Sequence, residues 1–460
     1  MISAKIIAAL EGLVGKRSVR NADALRAIHP GFDSRNFDAG LMVTPNTSSE
    51  VAAVLRLCND HRIAVVPHGG RTGLAGGAAS TAGEIILSLA SLNRIEEISP
   101  GAQTVTVGSG VTLQALQEAA EPHGLTSGID IAARGSATIG GMISTNAGGM
   151  EAFRLGVMRQ RVLGLEIVLP DGSIMSDMAQ VTKSNEGYDL KQLFIGAEGT
   201  LGIVTRTVLK LSARDEFTAT ALLACPSAAA AVALFAQLQR NRSLRLLRAE
   251  IMERAYFRLA VEVLGPPALA ALADAPVYLI LESEAPDQQT AQTSLENALA
   301  GGIEDGLVLD AIIAQSESDR HHIWTVREDS DVATRAYPDG YWFDISVPLQ
   351  SLQTYLDRFS DGTTALGNDV RGFVFGHLGD GNLHICVASD GDMPSREAVK
   401  TIVYADLKKM GGSFSAEHGI GLEKKPDLEA FVDPVKLSLM RAIKKTLDPN
   451  GIMNPGKIIG

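Results

Sequence analysis

At 460 residues, with 45% hydrophobic and 20% charged side chains, the chain is long enough for two or three cores and has the balance of a globular protein. A net charge of -12 without a long basic run argues against nucleic-acid binding. Three cysteines without paired spacing (Cys58, Cys225, Cys386) exclude a disulfide scaffold and fit a reducing, cytoplasmic compartment.

Residues 1–40 read as a helix followed by polar, irregular chain. Lys5 and Glu11 interrupt the apolar start, which lacks the cleavage pattern of a signal peptide. No later stretch nears the ~20 apolar residues of a membrane-spanning helix. From 41 to 213, short β-branched runs alternate with helices and glycine loops: strands at 63–67, 84–89, 104–107, 165–169 and 203–209, and a helix over 112–120. Gly108-Ser-Gly110 before that helix lacks the third glycine of a nicotinamide fingerprint. Beyond 214 come a strand at 218–223, an alanine-rich helix over 227–240, strands at 277–281 and 343–347, a helix over 349–360, a hairpin over 373–387 and a helix over 436–446. The six arginines between Arg240 and Arg258 read as a solvated helix face. The chain ends in the turn-rich run Asp448-Pro-Asn-Gly-Ile-Met-Asn-Pro-Gly-Lys457.

Much of the glycine content, 46 residues, falls in clusters, which suggests backbone brought close to a ligand. Pro67–Ala78 lies between two predicted strands, where several N–H groups can converge on a pyrophosphate. Ser136–Gly149 and Phe194–Thr205 repeat the pattern of small side chains, hydroxyls and paired glycines. Each alone is also compatible with a plain loop; together they suggest a dinucleotide laid along backbone.

In the second half, His377 and His384 flank Asp380-Gly381, a two-residue hairpin signal. With that turn, His377 faces His384 at a Cβ separation of ~5 Å. Both imidazoles then reach one divalent cation, and Glu417 offers a third, anionic ligand. Two partly buried neighbours with no metal are the alternative.

These segments, with Gly187–Gly202, Trp324-Thr-Val-Arg-Glu328, Gly376–His384, Ser415–Gly421 and Asn454–Ile459, resemble the vanillyl-alcohol oxidase/PCMH flavoprotein superfamily, within it the D-lactate, glycolate and D-2-hydroxyglutarate dehydrogenase group. The resemblance spans nearly the whole chain. It implies an α+β fold in which a PCMH-type FAD-binding domain (1–213, with 1–40 an N-terminal extension) precedes a substrate or cap domain (214–405) with an antiparallel sheet covered by helices. Residues 406–460 would complete the active site and pack back on the FAD domain.

Non-covalent FAD is implied, held by Pro67, His68, Gly69, Gly70, Arg71, Thr72, Gly73, Leu74, Gly77 and Ala78, then Ala137, Thr138, Gly140, Gly141, Thr145, Asn146, Gly148 and Gly149. Glu198, Gly199, Gly202, Ile203 and Asn454 complete the set. Arg71 stands where histidine-linked relatives attach the flavin. A divalent metal, usually zinc, is implied at His377, His384 and Glu417, with His418 as base and Arg327 on the substrate carboxylate. The acceptor is expected to be a protein or quinone such as an electron-transfer flavoprotein, and relatives are commonly dimers. Asp331, Trp342 and Cys386 depart from the hydroxyglutarate pattern, which favours a monocarboxylic or polar-tailed 2-hydroxy acid, with Arg335 a compensating cation. The rival readings are a flavin oxidase acting on an alcohol or polyol with oxygen, a flavin-free metal hydrolase, and a purely structural metal.

Overall fold

The computed structural model describes residues 2–265, 267–329 and 331–459. The chain forms two compact units: one comprises Met1–Gly149, Leu155–Ala213 and Glu417–Gly460, the other Met150–Arg154 and Arg214–Ala416. Both are α+β.

In the first unit a four-stranded sheet runs in the order Val19–Asn21, Leu41–Val43, Ile85–Ser88, Val65–His68. Its last three strands are parallel. Residues 1–40 are more than an extension: helix Ala4–Val14 buries Ile6, Leu10 and Val14, and Val19–Asn21 is an antiparallel edge strand. An antiparallel sheet follows, ordered Ile95–Ser99, Thr104–Gly108, Ile203–Lys210, Val162–Val168, Ile174–Asp177. The helix foreseen over 112–120 forms as Leu113–Ala120, with Thr112 accepting from Ala115 N–H as its N-cap. Gly108 and Gly110 have a packing role: a Cβ on either would stand 2.1 Å from Leu92 O or 2.3 Å from Leu89 O. The C-terminal run folds onto this unit's core. Asp448, buried, accepts the N–H groups of Ile452 and Met453 and the Lys444 ammonium.

The second unit is built on a seven-stranded antiparallel sheet, ordered Asp310–Ile313, Phe217–Cys225, Val277–Ala285, Arg245–Glu253, Val370–His377, Asn382–Ser389, Tyr341–Ser346. The arginine-rich run 240–258 is not one helix face. Arg240 ends helix Ala228–Arg240, Arg245 and Arg248 lie on a central strand, Arg254 starts the next helix and Arg258 lies within it. Neighbouring strands claim Leu246–Met252 as a ladder, which outweighs any local helical preference. The boundary expected near 406 falls at Ala416. Ser413 exchanges backbone bonds with Ser346, and Ala416 N–H donates to Asp344, so 406–416 stay with the sheet.

Candidate active site

In the first unit the three glycine clusters meet. A Cβ on Gly70 would lie 1.9 Å from Ser136 O, and one on Gly69 would lie 2.4 Å from Thr138 Oγ1. The Pro67–Ala78 loop is therefore pressed onto the start of helix Ile139–Thr145. Gly140 approaches Ser109 as closely, Gly149 approaches Asp130, and Gly199 approaches Pro67, so the third cluster closes on the first. Asn454 joins them: its Nδ2 donates to Gly77 O at 3.0 Å and Glu198 O at 2.7 Å. Arg71, Asn146, Glu198 and Asn454 all have positive φ, which asparagine tolerates but which arginine and glutamate adopt rarely, so Arg71 and Glu198 are held there by their surroundings.

His68 is fully buried, and Nε2 bonds Ala78 O at 2.8 Å across the ends of the loop. Burial pulls its pKa down to about 3, so the ring is neutral, Nε2 carries the proton, and Nδ1 is a bare acceptor without a partner among the described residues. Arg71 Nε and Asn454 Oδ1 are likewise buried and unpartnered. The space beside Gly73 holds no atom within 4 Å of an added Cβ, and a cleft of about 390 Å³ is lined by Arg71, Thr44, Asn46, Ser88 and Ser91. Orphaned polar atoms on closely apposed glycine loops fit a long polar ligand laid along backbone. Of the other expected contacts, Leu74 is exposed, Ile203 lies in an apolar core and Thr145 bonds back to its own helix. The Glu198 carboxylate is occupied by protein: its oxygens accept Ile420 N–H at 2.7 Å and Gly421 N–H at 2.8 Å, which fixes the chain just after Glu417-His418.

In the second unit the hairpin register differs from the expected one. His377 pairs with Asn382 and Phe375 with His384, so the loop is four residues, Leu378–Gly381, not two. Leu378 N–H is taken by Ala249 O on the adjacent strand, which removes it from the hairpin ladder, and Gly381 sits at φ +74° against Val347 O. The histidines are thus diagonal rather than opposed. They still share a face, with ring centroids 5.4 Å apart and planes at 86°. Diagonal pairs remain within reach for long side chains.

Around them the face carries buried charge. Glu250, fully buried, accepts His377 Nδ1 at 2.8 and 2.9 Å and Arg327 Nη2 at 2.6 Å. Arg327 comes from helix Glu317–Glu328 and stacks on Phe375, 4.9 Å from the ring centre. His377 therefore presents Nε2 as its remaining ligand atom, the arrangement that orients metal-binding imidazoles. Asp344, also buried, accepts Asn382 Nδ2 at 2.8 Å, lies 3.6 Å from His384 Nδ1, and holds Ala416 N–H, the residue just before Glu417. Two imidazoles so held fit a shared cation. Glu250 and Asp344 escaped the sequence reading. The legible signal was a carboxylate inside an apolar strand run, Leu246-Leu-Arg-Ala-Glu-Ile-Met252 and Trp342-Phe-Asp-Ile345, because such a charge stays buried only when paired.

Residues 39–177 match the profile of the FAD binding domain, and residues 214–458 match that of the FAD linked oxidases, C-terminal domain. The chain belongs to the FAD-linked oxidase family. It is an FAD-dependent oxidoreductase, and the Pro67–Ala78 and Ser136–Gly149 loops lie in the part of the chain that matches the FAD-binding profile. A bovine relative, "D-2-hydroxyglutarate dehydrogenase, mitochondrial", is 34% identical over 464 residues, covering 100% of this chain and 84% of its own. A rice (Oryza sativa subsp. indica) relative, "Probable D-2-hydroxyglutarate dehydrogenase, mitochondrial", is 36% identical over 91% of this chain and 75% of its own. One from Xanthomonas citri pv. viticola, "D-2-hydroxyglutarate dehydrogenase", is 37% identical over 90% and 88%. Among solved structures, alkyldihydroxyacetonephosphate synthase (TM-score 0.75, 16% identity, 99% of this chain and 86% of that one) and p-cresol methylhydroxylase (0.73, 16%, 99% and 96%) share the fold, the PCMH-type α+β architecture expected from the sequence. Among the described residues, no helix is long and apolar enough to cross a membrane.

Proposed function

We propose that this flavoprotein oxidises a D-2-hydroxy acid to the 2-oxo acid, with His377, His384 and Glu417 holding one divalent cation, zinc in the first instance. The reading is supported by the relatives' names and, above all, by one observation: Arg327 and His377 sit side by side, held by the same buried carboxylate. Bound FAD, held without a covalent link, supplies the hydride acceptor, and the cation supplies a Lewis acid that acidifies a coordinated hydroxyl. Arg327 orients the substrate carboxylate through its planar N–H fork. His418 accepts the hydroxyl proton, a role suited to an imidazole near neutral pH. The protein's other groups exclude water: Phe375, Tyr256 and Trp342 pack into an apolar wall beside the two histidines.

Arg335 is exposed and bonded to Asp329 through both terminal nitrogens, and Trp342, which lies edge-on to Phe375 at 6.1 Å, is neutral, so neither supplies an unengaged cation for a second carboxylate. Electrons leave to a protein or quinone acceptor, and three free, buried cysteines suit a reducing, cytoplasmic setting. Anaerobic mixing with D- and L-2-hydroxy acids, mono- and dicarboxylic, tests the reading. At least one D-acid should bleach the flavin while its L-enantiomer does not; no bleaching by any D-acid refutes it. Peroxide formed in air at the rate of turnover would make oxygen the acceptor.

A further inference from the structure

We infer that Glu250 is the positioning residue of this centre, setting the metal-ligating imidazole and the carboxylate-binding guanidinium together. The inference rests on the proposed roles of His377 and Arg327 and adds the group that ties them. Glu250 lies on the central strand Arg245–Glu253, directly across the ladder from His377, with no solvent exposure. A carboxylate there is retained only if its partners offset the loss of water, and both oxygens are engaged. Oε1 accepts from His377 Nδ1, and Oε2 accepts from Arg327 Nη2 while also lying within bonding distance of the imidazole.

Each bond has a chemical consequence. Holding the proton on Nδ1 fixes the tautomer, so the lone pair needed by a cation is on Nε2. Anchoring one terminal nitrogen of Arg327, while Phe375 supports the guanidinium face, leaves a rigid cation whose buried Nε lacks a partner among the described residues. One side chain thereby sets the relative placement of two groups that must grip the same 2-hydroxy acid, and a carboxylate does so without the freedom of two independent supports.

A built-in comparison lies on the adjoining strand of the same sheet. Glu282, equally buried, accepts from Thr220 Oγ1 at 2.8 Å, Trp324 Nε1 at 2.9 Å and Arg320 Nε at 2.9 Å, and pairs with Arg248. It has the same construction but touches neither His377 nor Arg327 through any of these bonds. Loss of Glu282 reports the structural cost of a missing buried carboxylate in this sheet; loss of Glu250 reports that cost plus positioning.

The experiment compares Glu250→Gln and Glu282→Gln in the full-length, FAD-loaded enzyme, measuring zinc affinity by competition with a chelator, flavin content, melting temperature, kcat and KM. Glu250→Gln should weaken zinc binding roughly 10- to 100-fold, the usual effect of losing a carboxylate behind a ligating histidine. It should raise KM for the acid and keep its flavin. Glu282→Gln should lower the melting temperature while zinc affinity and KM stay at wild-type values. Should Glu250→Gln not fold, Glu250→Asp, which keeps the charge but retracts it by one methylene, must show the same pair of losses in milder form. Wild-type zinc affinity and KM in the soluble Glu250 variant, with only stability reduced, overturns the inference alone. A wild-type enzyme that binds no zinc and is reduced by no acid removes the underlying reading, and the inference with it.

Discussion

Adding one methyl group at Gly70 should separate the glycine loops. Its φ is not left-handed, so Gly70→Ala carries no backbone strain, and the effect is steric. The new Cβ would stand 1.9 Å from Ser136 O, 2.7 Å from Ser136 C and 3.0 Å from Ala137 Cα, all of them backbone. Cβ atoms essentially never come within 3.0 Å of a heavy atom outside their own residue and its chain neighbours, so the loop must retreat by at least the difference from 1.9 Å. Overpacking of this kind costs about 1–3 kcal/mol, and a kilocalorie lowers the melting temperature of a unit this size by about 2–4 °C. Gly73→Ala is the matching probe. Nothing of the protein lies within 4 Å of its Cβ, so the stripped protein should melt as wild type does. If that space takes the dinucleotide, however, Gly73→Ala should lose the stabilisation that saturating FAD confers, about 2.7 kcal/mol at a hundredfold excess over Kd. Thermal melts of flavin-stripped protein, with and without added FAD, separate the two. Unchanged melting of stripped Gly70→Ala refutes the close approach; full FAD stabilisation of Gly73→Ala refutes the loop as a cofactor cradle.

Three other outcomes are expected. Burial, with Asp357 nearby, raises the Glu253 carboxyl to about 8, so the folded chain keeps a proton that the unfolded chain releases above about 4.5. Stability should therefore fall as pH rises through that window, by on the order of a few kcal/mol, and Glu253→Gln should flatten the profile between pH 5 and 8; parallel wild-type and variant curves count against this. Glu198→Ala strips the acceptors from two backbone N–H groups, Ile420 and Gly421, at about 1–3 kcal/mol each, and Glu198→Gln, which keeps one acceptor, should lie between it and wild type in denaturant titrations. Dialysis against a chelator should abolish turnover while the visible flavin spectrum persists, with zinc restoring activity; full turnover by metal-free enzyme would exclude a cation from the chemistry.

Much of this was legible locally. The glycine loops announce themselves because only glycine tolerates backbone contacts such as those of Gly70 and Gly199, and Thr112 and Ser227 announce helix starts because their hydroxyls accept from N–H groups three residues on. The hairpin was legible too, since Asp380-Gly381 demands a turn, and so was the α+β character of both halves.

What the chain could not disclose was pairing. Whether His377 opposes His384 or Asn382 depends on Leu378 N–H, and that group answers to Ala249 O, 129 residues earlier in the chain. Arg248 looked like solvated charge until a neighbouring strand set Glu282 beside it. Glu250 had no visible role until the sheet order placed its strand against that of His377. Residue types, turns and caps are properties of a few consecutive residues, so the sequence by itself suggested a dinucleotide along the glycine loops and, through the family resemblance, FAD and a candidate ligand set. The support of those ligands by buried carboxylates comes from strands far apart in the chain, and only the tertiary structure, through sheet order and register, decided it.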